Sequence, residues 1–489
     1  MCRGLLDRYF KLTERGTSVQ TELRAGTVNF LTMCYILLVN PQVLGEAGIR
    51  QNDVVVGTAI SSALGSLFVG LVANLPFGLA PGLGLSAYLS YGLVRNLGFT
   101  WQEALTACLL SGIVTGVLAI LRIGDYIMRI IPDAIKMATV VGMGVLLSLI
   151  GLTNVDFVIK DPDGLIKMGS LWNTPVILAM IGLVLIATLQ HHRIKGGILA
   201  GIAFVTLFTW ALTHSWPRVI ASKPDLQEAF LAADLRLSAS KMIPAILAFT
   251  VIQIFDVSGV MFGVAKLANL VDDKDEVVGG AWVLLGSSLA TILAALTGCS
   301  PIIVHLECAA GVKEGGRTGL SSVFTAIWFG IAVFFAPLFS QVPNAATTPV
   351  LVFVGATMMD LASRIDWESM YTAIPAYLTI IIMPFTFSIA DGIFFGVAFT
   401  FILYILTGKF LEDFGTRKQR IVEVARSPIN DSIKSPLLER VEEKDDEYSP
   451  HSRSILDSTG IGTGLVPILN DGVMFNPPGN PSAEVNVSV

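Results

Sequence analysis

Glu307 lies in an apolar stretch that cannot be one continuous helix: Thr297-Gly298-Cys299-Ser300-Pro301-Ile302-Ile303-Val304-His305-Leu306-Glu307-Cys308-Ala309-Ala310-Gly311. An ionised carboxylate in hydrocarbon is costly, so such a residue faces the protein interior or a cavity and marks a functional site. The Gly-Cys-Ser-Pro start breaks the backbone, and free backbone polar groups at that depth survive only beside a cavity. A carboxylate placed there can take and give a proton, or accept two N–H bonds from one flat heterocycle. No Lys or Arg lies within its span to neutralise it. His305, two residues before it, suits a structural hydrogen bond as well as a direct role.

A second carboxylate, Asp256, ends the run Phe249-Thr250-Val251-Ile252-Gln253-Ile254-Phe255-Asp256. Gln253 lies three positions earlier and shares its helical face. Both point into a bundle, where they serve either a ligand or a hydrogen-bond network between helices. The turn Ala80-Pro81-Gly82-Leu83-Gly84 exposes backbone N–H groups, and the half-helix after it aims a positive dipole end inward. Ser86 adds a hydroxyl in that first turn. Alone, a GxG in a span reads equally as helix packing. Paired with Gly298–Pro301 in the other half of the chain, it gives two broken segments, the sequence mark of a transporter site at the membrane midplane. Glu307, Gln253, Ser86, Gly84, Ser300 and His305 are therefore the candidate substrate-binding residues, and Asp256 and Glu307 the candidate proton carriers. Asp391 reads as a cap of the last span. Lys313–Gly319 reads as a tight turn at the membrane interface.

The elements that must position these residues follow from composition. Of 489 residues 53% are apolar and 14% charged, against about 25% charged in soluble domains. The chain is therefore polytopic. With roughly 20 apolar residues needed per spanning helix, spans fall near 28–45, 55–75, 79–95, 102–121, 133–152, 174–190, 195–214, 242–268, 279–297, 299–312, 318–341, 347–363, 371–388 and 390–408. The expected fold is an all-α polytopic membrane protein of about 14 segments in a 7+7 inverted repeat, with the third and tenth segments broken. An odd number of spans per repeat turns the second copy upside down.

Residues 1–27 read as a cytoplasmic N-terminal segment, 28–409 as the transporter body, with repeats near 28–214 and 242–408, and 410–489 as a disordered cytoplasmic tail. Arg3, Arg8, Lys11, Arg15 and Arg24 precede the first span. Loops that then fall on the same side hold Arg122, Arg129, Lys136, Arg193, Lys195, Lys266, Lys274, Lys313, Arg317 and Arg364, which places both termini in the cytoplasm. Ser427, Ser435 and Ser449, each before Pro, are phosphorylation candidates in the tail. No basic block suggests nucleic acid. No P-loop, HExxH metal motif or nucleophile–base constellation is visible, so no cofactor and no enzymatic activity are expected. The five cysteines form no CxxC pair.

The sequence resembles the adenine/guanine/hypoxanthine permease branch (AzgA-like) of the nucleobase–ascorbate transporter superfamily. The likeness covers roughly residues 8–409. It is carried by Thr21–Gly26, Tyr35-Ile36-Leu37 with Val39-Asn40-Pro41, Ala80–Gly84, Phe255-Asp256, Gly298 with Ser300, Glu307 with Ala309-Ala310-Gly311, Glu314–Gly319, Ala373–Ala376 and Ile389–Gly392. The resemblance implies a core domain (spans one to four and eight to eleven) moving against a gate domain (spans five to seven and twelve to fourteen). It also implies proton-coupled purine uptake and a homodimer, and the location expected of such a symporter here is the plasma membrane. By position Glu307 matches the family acid that holds the nucleobase, and Asp256 a critical acid of span eight. The family has Asp where this chain has Gln253, and Asn where it has Ser86. Gln cannot titrate, so the proton would fall to Asp256 or Glu307. Another nucleobase, an anion, or a non-transporting receptor with the same pocket are the remaining readings. A folded domain after the last span would favour the anion, and binding without accumulation the receptor.

Overall fold

A computed structural model describes residues 2–122, 132–161, 166–234, 239–272 and 277–407. The tail 410–489 with its Ser-Pro sites, and the loop residues Arg129, Arg236 and Lys274, lie outside the described residues. Of the described residues 72% are helical. Among the described residues nine helical stretches are long and apolar enough to cross a membrane, and three shorter apolar helices, Gly197–Thr213, Gly280–Leu296 and Met370–Thr386, accompany them.

The first span begins earlier than its hydropathy suggests. Val19–Met33 and Ile36–Gly45 run on as one apolar stretch from Val19, with Ser18 capping the start by accepting from Thr21 N at 3.2 Å. Glu22 near that start is fully buried. Its carboxylate accepts the backbone N–H groups of Arg317 (2.8 Å), Thr318 (3.2 Å) and Ser321 (3.1 Å). These donors lie at and just before the start of the helix Gly319–Ala332. A charge that lowers hydropathy therefore ties the first span to a turn nearly three hundred residues away. Trp101–Ile120 starts conventionally, on a capping box made by Thr100 and Glu103.

An all-helical chain is corrected at two short ladders. β1 (Leu79–Pro81) and β4 (Ile302–Val304) pair antiparallel, with Ala80 opposite Ile303; β2 (Val158–Lys160) pairs with β3 (Ile166–Met168) in a peripheral hairpin. β1 leads through Gly82 into the helix Leu83–Ala87, which continues as a π-helix over Tyr88–Asn96. β4 leads into the half-helix Cys308–Lys313. The broken segments thus meet head to head. Extended backbone inside a membrane protein must find partners for both edges. The inner edges pair with each other. The outer edges take hydroxyls from flanking helices: Ser66 Oγ accepts from Leu79 N at 2.8 Å, and Thr291 Oγ1 from Ile302 N at 2.9 Å.

The long helices fall into two groups that pack mainly among themselves. The first surrounds the strand crossing and contains Val19–Gly45, Gln51–Ala73, Trp101–Ile120, Ala239–Leu267, Gly280–Leu296 and Gly319–Ala332. The second contains Asp133–Asn154, Thr174–His191, Gly197–Thr213, Asn344–Met358, Met370–Thr386 and Ile389–Leu406. Small residues permit close contact within a group. A Cβ on Gly355 would run into the Gly144 carbonyl oxygen, so these two helices touch backbone to backbone. Few contacts join the groups. Gln42 donates to Val342 O at 2.8 Å and accepts from the Thr347 hydroxyl, and Asn96 donates to Thr386 O at 3.2 Å. Lys195 pairs with Glu314 at 2.5 Å.

Candidate functional site

Glu307 is the residue from which the Cys308–Lys313 half-helix starts. Both of its carboxylate oxygens have partners. The Tyr35 hydroxyl donates to Oε1 at 2.5 Å, and Oε2 lies 3.3 Å from Nδ1 of His305. Its side chain keeps 22% of its surface open while His305 keeps 8%, so the acid is reachable and its partner is not. Leu306 beside it is 60% exposed.

His305 is held by the other broken segment. Its Nε2 lies 3.2 Å from the Ala80 carbonyl oxygen and 3.1 Å from that of Pro81. Carbonyls only accept, so Nε2 carries hydrogen and Nδ1 is left to face Glu307. Asp256 is buried on the Ala239–Leu267 helix and close enough to His305 to interact with it electrostatically. No hydrogen-bond or ion-pair partner is found for its carboxylate among the described residues. Asp256, His305, Glu307 and Tyr35 therefore form one row of ionisable groups at the crossing of the broken segments.

Gln253, one turn before Asp256, is placed differently. It is fully buried, and its amide N–H groups face Thr291 Oγ1 (2.8 Å), Ser287 Oγ (3.0 Å) and the Ile302 carbonyl (3.2 Å). Thr115 donates to its oxygen at 3.3 Å. Gln253 thus ties three helices to β4, and its donors are taken by protein. Ser86 and Ser300 share a hydrogen bond at 2.7 Å across the two broken segments. Ser86 also donates to Asn40 Oδ1 (2.6 Å), and Asn40 in turn donates to Thr58 Oγ1 (2.9 Å). Both serines are fully buried. Gly84 touches the second helix group, because a Cβ there would lie 2.6 Å from Met143 Sδ. Asp391 stands in the first turn of Ile389–Leu406, and the cap is Ser388, whose hydroxyl accepts from Asp391 N at 3.2 Å. The cap expected at Asp391 is corrected accordingly: Asp391 is exposed and gains only from the helix N-terminus.

Tyr35 and Asn40 were not among the candidates. Asn40 carries the same signal as Gln253, a polar amide inside an apolar span. Tyr35 carried none that separates it from an interfacial aromatic.

Residues 20–395 match the Permease family, Xan_ur_permease. The chain is 33% identical to adenine permease AdeP of Escherichia coli, over 83% of this chain and 92% of that protein. It is 34% identical to guanine/hypoxanthine permease PbuO of Bacillus subtilis, over 82% of this chain and 95% of that protein. Among solved structures, the transmembrane domain of the cyanobacterial bicarbonate transporter BicA superimposes with a TM-score of 0.59 at 14% identity, covering 77% of this chain and 97% of that domain. At that identity the likeness is one of fold.

Proposed function

Because this chain belongs to the Permease family, an assembly of multi-pass membrane transporters that includes nucleobase carriers, we propose that it takes up purine nucleobases by proton symport. The observation that carries the reading is the reachable carboxylate of Glu307 at the strand crossing, with Tyr35 and His305 holding its two oxygens. A carboxylate so held keeps lone pairs for N–H groups on the edge of a flat heterocycle. Asp256 is the second titratable group of the site and links occupancy to movement. Ser86, Ser300 and Gln253 shape the crossing on which the base rests, and Gly84 lets the second helix group close over it. Two buried acids disfavour an anionic cargo.

The division into two helix groups supports alternating access by an elevator-like displacement of the first group, with the site, against the second. In this reading the chain has fourteen segments in a 7+7 inverted repeat, works as a homodimer in the plasma membrane, and has both termini in the cytoplasm. Gln42–Thr347 and Asn96–Thr386 then lie on the outer side and Lys195–Glu314 on the inner side.

The test is uptake of radiolabelled adenine, guanine, hypoxanthine and uracil in cells lacking their own permeases, with and without a protonophore. Purine accumulation that collapses with the proton gradient is expected. A surface-expressed protein that accumulates none of the four would refute the reading.

A further inference from the structure

We propose that His305 and Glu307 together hold one proton, and that this shared proton is the one that symport carries. The proposal rests on the nucleobase-symport reading and names the place of its coupling ion. It follows from the direction in which His305 is fixed. Nε2 faces two carbonyl oxygens of the opposite broken segment and must keep its hydrogen. Only Nδ1 can change protonation, and Nδ1 is the atom that faces Glu307 Oε2, at 3.3 Å.

Two arrangements of the pair make a hydrogen bond. In one, imidazolium Nδ1–H donates to the carboxylate; in the other, a carboxylic acid O–H donates to neutral Nδ1. Both contain a single proton between the two atoms, and they differ only in which atom it sits on. Remove that proton to water and two lone pairs face each other. His305 cannot turn away without giving up both carbonyls. Glu307 can, because its side chain is the open one of the two. Loss of the proton therefore releases the carboxylate from His305 and spoils the geometry that a purine edge needs. Purine binds to the loaded pair, and proton and purine cross together.

The titratable groups that face the pair are few. Asp256 approaches His305 from the Ala239–Leu267 helix, Tyr35 approaches Glu307 from the Val19–Gly45 span, and Cys308 follows Glu307 on the half-helix. β1 offers carbonyls and no ionisable side chain. Tyr35 also touches Glu307, at 2.5 Å, but a phenol keeps its hydrogen near neutral pH, so among the described residues His305 and Glu307 are the contacting pair that can exchange a proton.

The experiment compares wild type with His305→Asn, whose amide can donate a hydrogen bond and cannot titrate. Purified full-length protein is assayed for adenine binding between about pH 5 and pH 8, and cells for accumulation with and without a protonophore. The variant is expected to lose the pH dependence of adenine binding, and to equilibrate adenine without accumulating it. A variant that still accumulates adenine with the wild-type pH profile overturns the proposal while leaving the transport reading intact. Wild type that neither binds nor accumulates any nucleobase overturns both. Should His305→Asn not reach the membrane, 15N-histidine NMR of wild type decides: only five histidines are present. His305 is expected to keep Nε2–H throughout and to shift in Glu307→Gln. A neutral form protonated on Nδ1 alone would overturn the proposal.

Discussion

Glu307 stands in one half of the strand crossing at the place that Gly84 holds in the other. Antiparallel strands are related by a local two-fold, and the register sets Ala80 against Ile303, so Leu79 corresponds to Ile302 and Gly84 to Glu307. The two halves match in backbone and differ in chemistry. One brings an acid to the site, and the other brings room, because a Cβ at Gly84 meets Met143 Sδ at 2.6 Å. Gly84→Ala should therefore slow transport more than it weakens folding, since the clash is with the helix group that has to slide past. Overpacking of this size costs about 1–3 kcal/mol, and the far end of a methionine absorbs part of it. Uptake is expected to fall roughly tenfold and to recover in Gly84→Ala/Met143→Ala, a coupling that a double-mutant cycle measures. Equal loss in the single and double variants would remove Met143 from the explanation.

The two acids should separate in their effects. Glu307→Gln keeps size and loses the charge that accepts purine N–H groups. A hydrogen bond to a charged group is worth about 1.5–3 kcal/mol, so adenine Kd should rise by roughly 10- to 150-fold. Asp256→Asn should leave binding near wild type, because Asp256 has no hydrogen-bond partner to lose among the described residues, and should cut accumulation sharply by breaking the link between occupancy and movement. Binding by the purified variants and uptake in cells are read side by side. Accumulation by Asp256→Asn at the wild-type level removes Asp256 from the mechanism.

Tyr35 offers a milder test of the same site. Its hydroxyl donates to Glu307 Oε1 at 2.5 Å and its ring is packed in the core. Tyr35→Phe deletes one donor without opening a cavity. A lost hydrogen bond of about 1–2 kcal/mol predicts adenine Kd roughly 5- to 30-fold weaker, with the expressed amount unchanged. An unchanged Kd would mean that Glu307 orients itself without help.

Much of this was legible in the residues. The two broken segments were marked by Ala80–Gly84 and Gly298–Pro301, and the acids by their isolation in apolar runs. What one sequence does not contain is the partner across the crossing. His305 is fixed by Ala80 and Pro81, more than two hundred residues earlier, and nothing in the spacing of His305 and Glu307 says so. The strands escaped for a related reason: three residues are too few to show a period-two pattern, and their pairing is a tertiary fact. The early start at Val19 escaped because Glu22 lowers local hydropathy until its backbone donors are known.

Gln253 was grouped with the substrate residues by helical spacing, and its hydrogen bonds assign it a different test. Its amide is taken by Thr115, Ser287, Thr291 and the Ile302 carbonyl. Gln253→Leu leaves those groups short of a partner inside the bundle, at about 1–3 kcal/mol. The purified variant should melt several degrees lower while the ranking of adenine, guanine and hypoxanthine as competitors stays as in wild type. A changed ranking with an unchanged melting temperature would return Gln253 to the substrate.

Lys195 and Glu314 join the two helix groups, and Arg24 holds Glu314 from its other side at 3.3 Å. Lys195 is more than half exposed, so the pair is screened by solvent and worth at most about 1 kcal/mol. It can bias the balance between transport states and cannot lock it. In the present state Leu306 is open, so a cysteine placed there reports how often this state is visited. The described native cysteines Cys34, Cys108, Cys299 and Cys308 are buried, which leaves Cys2 to be replaced by serine as background. Lys195→Ala should slow maleimide labelling of Leu306→Cys by up to about fivefold, the population shift that 1 kcal/mol allows. The difference should shrink in high salt, where an exposed pair is screened. Labelling that is unchanged or faster without Lys195 would mean that the pair follows the conformation and does not hold it.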